Sequence, residues 1–136
     1  MKSLLLQRAI AIAREAHAGQ VDLAGKPYIA HPLRVMGAVE GEEAKIVAVL
    51  HDVVEDSPDW PLAKLAAEGF SADVLAAVDA LSRKEGEAYE AFIARIAGNP
   101  LAKLVKLADL ADNLSRPASL KPHLKARYLQ AVEALS

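Results

Sequence analysis

Apolar residues recur at spacings of three and four along most of the chain, and the strict alternation that marks half-buried strands is almost absent. This pattern predicts helix throughout. From Ser3 to His17, residues Leu5, Ala9, Ile12, Ala13 and Ala16 fall on one face, and Gly19 is placed to stop the helix. Gly25 and Pro27 break the next stretch, 19–28, into a loop. Pro32 suits the first turn of a second helix reaching Val39, since its missing N–H costs nothing there, and His31 then stands at a helix start. A third helix is expected from Glu42 to Val54, burying Ile46, Val47, Val49 and Leu50 and presenting His51 and Asp52 near its end; Ser57-Pro58-Asp59 breaks it. Further helices are expected over Pro61 to Ala67, Ser71 to Leu81, Glu87 to Ala97, Pro100 to Leu114 and Lys121 to Leu135. Gly69, Gly86, Gly98-Asn99 and the stretch Pro117 to Pro122 separate them. The most polar connection is Lys84-Glu85-Gly86-Glu87. In the last helix, Leu124, Arg127, Tyr128 and Leu129 are expected to pack on the core, although a dimer face is the alternative and the oligomeric state stays open.

A chain of 136 residues has room for one core, so residues 1–136 are expected to form a single all-α domain. The apolar share of 53% and charged share of 25% are those of an ordinary soluble protein, and no apolar run approaches a membrane span. The first residues, with Lys2 and Arg8, run into the amphipathic pattern without a small-residue cleavage site, which argues against a signal peptide and for a cytoplasmic protein. With no cysteine, disulfides, thiolate zinc sites and cysteine nucleophiles are excluded, so any metal must be held by His, Asp or Glu. A net charge of −2 argues against a general nucleic-acid footprint, while a local basic cluster would still suit a small anion.

The chemistry concentrates around His51-Asp52. Adjacent His and Asp can share one divalent cation only if other side chains complete the shell, and His31 upstream and Asp109 downstream are the candidates. That mixed imidazole and carboxylate set suits Mn²⁺, Fe²⁺ or Zn²⁺ with positions left for water and a phosphate oxygen, the equipment of a metal-dependent phosphohydrolase. If the helix continues past Asp52, His51 lies above Glu55 and Asp52 above Asp56, so four groups converge. The plainer alternative is a solvated helix end. Around Asp109, Leu104, Leu107, Ala108 and Ala111 form the expected apolar side, and an ion pair of Asp109 with Lys106 or Lys103 is the alternative to metal ligation. His17 and His123 read as packed or solvated histidines rather than ligands.

Four runs together are more specific than any one of them: Ala16-His17-Ala18-Gly19-Gln20; Gly25-Lys26-Pro27-Tyr28-Ile29-Ala30-His31-Pro32-Leu33; Leu50-His51-Asp52-Val53-Val54-Glu55-Asp56; and Val105-Lys106-Leu107-Ala108-Asp109 with Asn113. In order and spacing they resemble the hydrolase domain of RelA/SpoT-type alarmone enzymes and small free-standing alarmone hydrolases. The resemblance implies an all-helical fold of the HD superfamily with a Mn²⁺ site. It makes His31, His51, Asp52 and Asp109 the metal ligands and matches Glu55 and Asp56 to the acidic pair that positions or activates the attacking water. Asn113 matches a residue that contacts the sugar or phosphate region of the substrate, and Lys26, Tyr28 and Lys106 fall in pocket-lining motifs. The implied reaction removes the 3′-pyrophosphate of (p)ppGpp, a small phosphorylated nucleotide, with no nucleic-acid or membrane partner. On this reading the synthetase half of the long family members is expected to be absent.

Departures from the family pattern concern the substrate rather than the metal. Val21-Asp22-Leu23 stands where an arginine that stacks on guanine is usual, Leu110 follows the last ligand where a basic residue is common, and the arginine expected near Asn113 is displaced to Arg116 or lost. Arg83, Lys84 and Arg95 are candidate replacement cations or ordinary surface charges. Two rival readings follow. One is an HD-type phosphatase acting on a different nucleotide; the other is a catalytically silent metal- or nucleotide-binding regulatory module.

Overall fold

The structure is a computed structural model that describes residues 3–116 and 120–136; Lys2 and Pro117 lie outside the described residues. Among them the chain forms nine helices and no strand: α1 Leu4–Ala16, α2 Ala30–Gly37, α3 Glu42–Leu50, α4 Val53–Asp56, α5 Leu62–Ala67, α6 Ala72–Ala80, α7 Tyr89–Ala97, α8 Pro100–Leu114 and α9 Pro122–Leu135. Local side chains set several starts. Ser3 caps α1 by accepting from Leu6 N–H at 3.0 Å, Ser71 caps α6 through Val74 N–H at 3.2 Å, and Asn99 caps α8 through Ala102 N–H at 3.0 Å, with Pro100 as the first helical residue. Past α1, Gly19 takes φ +79°, a left-handed turn that favours glycine.

The core is organised around α3, which packs against α1, α2, α6 and α8. Ala44, Ile46, Val47, Ala48, Val49 and Leu50 are all buried, so this helix is apolar on almost every side, as a central helix must be. Leu50 is fully enclosed, and Leu50→Ala is expected to lower unfolding stability by about 2–5 kcal/mol, read from the denaturant midpoint. Helix α9 packs on α7 and α8, but through Ala131 and Leu135, which are buried; of the residues expected to pack, Leu124 and Tyr128 are half-buried and Arg127 and Leu129 exposed.

Three details differ from the sequence pattern. In α1 the inward face is Leu6, Ala9, Ile12 and Ala13, and Leu5 is turned outward. In α8 the buried side is Ala102, Val105, Asp109 and Leu110, with Leu104 and Ala111 exposed. Val105 and Ala102 fill the space against neighbouring helices, which brings Asp109 inward rather than to the border of the apolar side. Finally, the third helix does not run to Val54. It ends at Leu50, His51 N–H reaches back to Ala48 C=O at 3.5 Å, and α4 begins at Val53 after Asp52 at φ −102°, ψ −2°. The His51 ring also engages Ala48 C=O, and this local competition with the helical pattern turns the chain at the two residues that carry the chemistry.

Two loops are tied down by charge. Arg95 reaches from α7 to Asp79 C=O, Ser82 C=O and the Glu87 carboxylate, closing the polar connection 84–87. Between α1 and α2 a single antiparallel bridge, Val21 to Pro27, pinches the loop. Asp22 Oδ1 accepts from the N–H groups of Ala24 and Lys26, 2.9 Å each.

Candidate metal centre

Four elements meet at one buried point: the start of α2, the turn between α3 and α4, the middle of α8, and the loop ahead of α2. His31, His51 and Asp52 each offer one donor atom, and the three lie within 4.8 Å of one another. Asp109 stands against this group, with Oδ1 2.7 Å from His31 Nε2 and 3.2 Å from His51 Nε2, while Oδ2 takes Lys106 Nζ at 3.0 Å. The ion pair with Lys106 is thus present on Oδ2, and Oδ1 is the oxygen that faces the two imidazoles. His51 Nε2 is also 3.1 Å from Asp52 Oδ2, and the Tyr28 hydroxyl donates to that same oxygen.

The far nitrogens of the two rings decide what the near ones can be. His51 Nδ1 lies 2.5 Å from Ala48 C=O, which only accepts, so Nδ1 carries the proton. His31 Nδ1 lies 2.6 Å from Asp112 Oδ2, again an acceptor, and Arg34 grips the other oxygen of Asp112 at 2.9 Å. In the neutral rings both Nε2 atoms are then lone pairs aimed at carboxylates. Acceptors facing acceptors in a buried site demand a cation between them, either a second proton on each ring or a metal ion. A backbone carbonyl and a carboxylate behind two imidazoles is also the support that metal-bound histidines use to fix tautomer and orientation. The donor set thus fits a divalent ion.

The same demand is visible in the ionisation of the groups. Burial pushes His51 down, but Asp52 and Asp109 outweigh it and hold the ring well above its ordinary value. Burial likewise opposes His31, and Asp109 raises it. Burial pushes Asp109 up, yet Lys106 and His51 keep it well below the usual carboxylate range, and His51 does the same for Asp52 against its burial. Burial and then Asp52 push Tyr28 upward, so its hydroxyl stays protonated as a donor.

A cavity of about 380 Å³ opens beside the cluster. Tyr28, His31, Asp52 and Asp109 line its inner end, with Lys106 and Asn113; Arg34 and Arg116 also line it, and Leu124 and Tyr128 of α9 contribute an apolar wall. Lys26 is exposed and does not line it, its backbone being committed to the loop around Asp22. Glu55 and Asp56 are exposed on α4 and stand outside the cavity lining, although Asp56 N–H donates to Asp52 C=O at 2.9 Å. Burial, Asp52 and Asp56 push Glu55 above its ordinary value, with Lys106 opposing; burial and Asp52 push Asp56 up, and Gln20 Nε2 approaches Asp56 at 3.5 Å.

One contact at the cluster escaped sequence reasoning. Asp112 holds His31, and its only signal was the three-residue spacing from Asp109 on one helix. His17 is buried, with Nδ1 2.9 Å from Gln20 Oε1. Leu110 is fully buried, so the loss of a basic residue there removes nothing from the cavity. None of the candidate replacement cations lines this cavity, Arg83 and Arg95 being engaged with Glu87 and Lys84 with Asp79 at 2.6 Å; Arg116, the displaced arginine, does line it.

No protein-family model matches the chain. A guanosine-3′,5′-bis(diphosphate) 3′-pyrophosphohydrolase of Haemophilus influenzae is 34% identical over 131 residues, covering 85% of this chain and 19% of its own. The bifunctional (p)ppGpp synthase/hydrolase SpoT of Escherichia coli is 32% identical over 136 residues, covering 90% and 19%. A probable GTP pyrophosphokinase of Mycobacterium leprae is 33% identical over 135 residues, covering 90% and 17%. The chain thus spans about a fifth of the length of these curated relatives. A solved structure, described as a metazoan ortholog of SpoT that hydrolyzes ppGpp and plays a role in starvation responses, shares the fold with a TM-score of 0.79 at 24% identity. It covers 99% of this chain and 85% of its own.

Proposed function

We propose, from its similarity to one segment of RelA/SpoT-type enzymes, that the chain is a divalent-metal-dependent phosphohydrolase that releases pyrophosphate from (p)ppGpp or a closely related phosphorylated nucleotide. One observation carries the reading: two buried imidazoles, each with its outer nitrogen anchored, aim their inner nitrogens at buried carboxylates. His31, His51, Asp52 and Asp109 would hold the ion, with Mn²⁺ the first candidate among metals that accept this donor set. When bound, such an ion polarises a phosphoryl oxygen and lowers the pKa of a water.

The remaining residues have roles that follow from their chemistry. Tyr28 orients Asp52 by donating to it. Lys106, lining the cavity beside Asp109, presents an ammonium to phosphoryl oxygens, and Asn113 offers an amide to the sugar or phosphate region. Glu55 and Asp56, with affinities for protons raised by their surroundings, are the groups assigned to orienting the nucleophilic water and taking its proton. The second reading, a phosphatase on another nucleotide, draws on Asp22: a carboxylate in the cavity wall neither stacks on a base nor attracts polyphosphate.

The test is hydrolysis of ppGpp and a nucleotide panel by purified protein with Mn²⁺, products resolved by chromatography. Release of pyrophosphate and GDP, lost in Asp52→Ala, is the expected result. Orthophosphate from a different nucleotide would select the second reading, and silence across the panel would reject both.

A further inference from the structure

Among the described residues, each cation lining the cavity faces a carboxylate. Lys106 faces Asp109, Arg34 faces Asp112, and Arg116 faces Asp22. The first two carboxylates are committed to the histidine cluster, since Asp109 contacts both rings and Asp112 holds His31 Nδ1. Asp22 is different. Its Oδ1 closes the loop by accepting from Ala24 and Lys26, and its Oδ2 does nothing but hold Arg116 at 2.8 Å. The pair bridges 94 residues of sequence and is mostly shielded, with side-chain exposures of 24% for Arg116 and 16% for Asp22.

Arg116 is also displaced from the cluster along α8. It follows the end of that helix, its N–H donating to Asn113 C=O at 3.3 Å, and lies seven residues beyond Asp109. At a rise of about 1.5 Å per residue that offset is roughly 10 Å, a span that a nucleotide phosphorylated at two positions of its sugar can bridge. The guanidinium fork suits phosphate, and the carboxylate beside it competes for the same donors.

We infer that the Asp22–Arg116 pair is a specificity determinant: Arg116 receives the second, non-scissile phosphate group of the substrate, and Asp22 competes for it, so that the cavity discounts ligands bearing that group. This deepens the phosphohydrolase reading and rests on it. It gives Asp22, which lines the cavity, a function as a tuner of its charge.

Asparagine at position 22 separates the two oxygens' tasks. Its amide oxygen can still accept from Ala24 and Lys26, while its NH₂ faces Arg116 as donor against donor and leaves the guanidinium free. The probes are GDP, which carries the 5′-diphosphate and no 3′-pyrophosphate to be cleaved, and guanosine, which carries neither. Titration of the full chain without added divalent ion reads binding alone. Asp22→Asn is expected to tighten GDP by about three- to tenfold and leave guanosine unchanged. Arg116→Gln is expected to weaken GDP, and combining it with Asp22→Asn to erase the gain. Equal shifts for both probes, a gain that survives removal of Arg116, or no GDP binding by any variant would overturn the inference. Because turnover plays no part in this titration, failure of ppGpp hydrolysis would be a separate result and would fall on the phosphohydrolase reading instead.

Discussion

Alanine at position 109 is expected to abolish divalent-ion binding and phosphoester hydrolysis together. Both carboxylate oxygens are in use, Oδ1 between the Nε2 atoms of His31 and His51 and Oδ2 on Lys106. Deleting the carboxylate removes the proposed ligand and leaves a mostly buried ammonium without its counter-charge. Breaking a buried pair on one side costs about 3–5 kcal/mol, so Asp109→Ala also lowers stability. Asp109→Asn keeps the size and one accepting oxygen while removing the charge, and so separates the two effects. The asparagine variant should melt as a folded protein yet bind Mn²⁺ about 100-fold or more weakly by calorimetric titration. Wild-type Mn²⁺ affinity in Asp109→Asn would remove Asp109 from the ligand set.

Glu55→Gln is expected to do the opposite, keeping the ion and losing the rate. Glu55 lies on α4, exposed and outside the contacts among His31, His51, Asp52 and Asp109, so the amide should leave Mn²⁺ affinity and melting temperature unchanged. What it removes is a carboxylate that partial burial, Asp52 and Asp56 hold above its ordinary proton affinity, a stronger base than a free carboxylate. Loss of a positioned general base typically costs about 10²–10⁴ in rate, and kcat for pyrophosphate release is where it should be read. Metal loss equal to that of Asp109→Asn would reject the separate roles of the two carboxylates. A wild-type kcat would move the proton-accepting role to Asp56 or to another group.

Much of the helical architecture was legible in the chain because helix boundaries are written locally. Ser3, Ser71 and Asn99 cap helices whose first residues they immediately precede, and Pro100 starts α8 as its geometry requires. Faces were harder to read. Alanine and leucine are spread so densely through α1 and α8 that more than one stripe looks apolar, and only the neighbouring helices select Leu6 over Leu5 and Val105 over Leu104. The candidate ligands were visible as residue types able to share a cation. The turn that makes them converge was not, because helical periodicity predicted continuation through Val54, whereas the His51 ring bonds Ala48 C=O and the chain turns there.

The sequence by itself determined the helical class, the absence of thiol chemistry, and the His and Asp inventory with its family-like order, since propensity, capping and residue chemistry act over a few positions. Tertiary structure alone decided which distant groups face one another: Asp112 behind His31, Asp109 between the His31 and His51 rings, Tyr28 on Asp52, and Asp22 on Arg116 across 94 residues. Those pairings come from the packing of α2, α3 and α8, where burial makes each charge depend on a partner that sequence separation conceals.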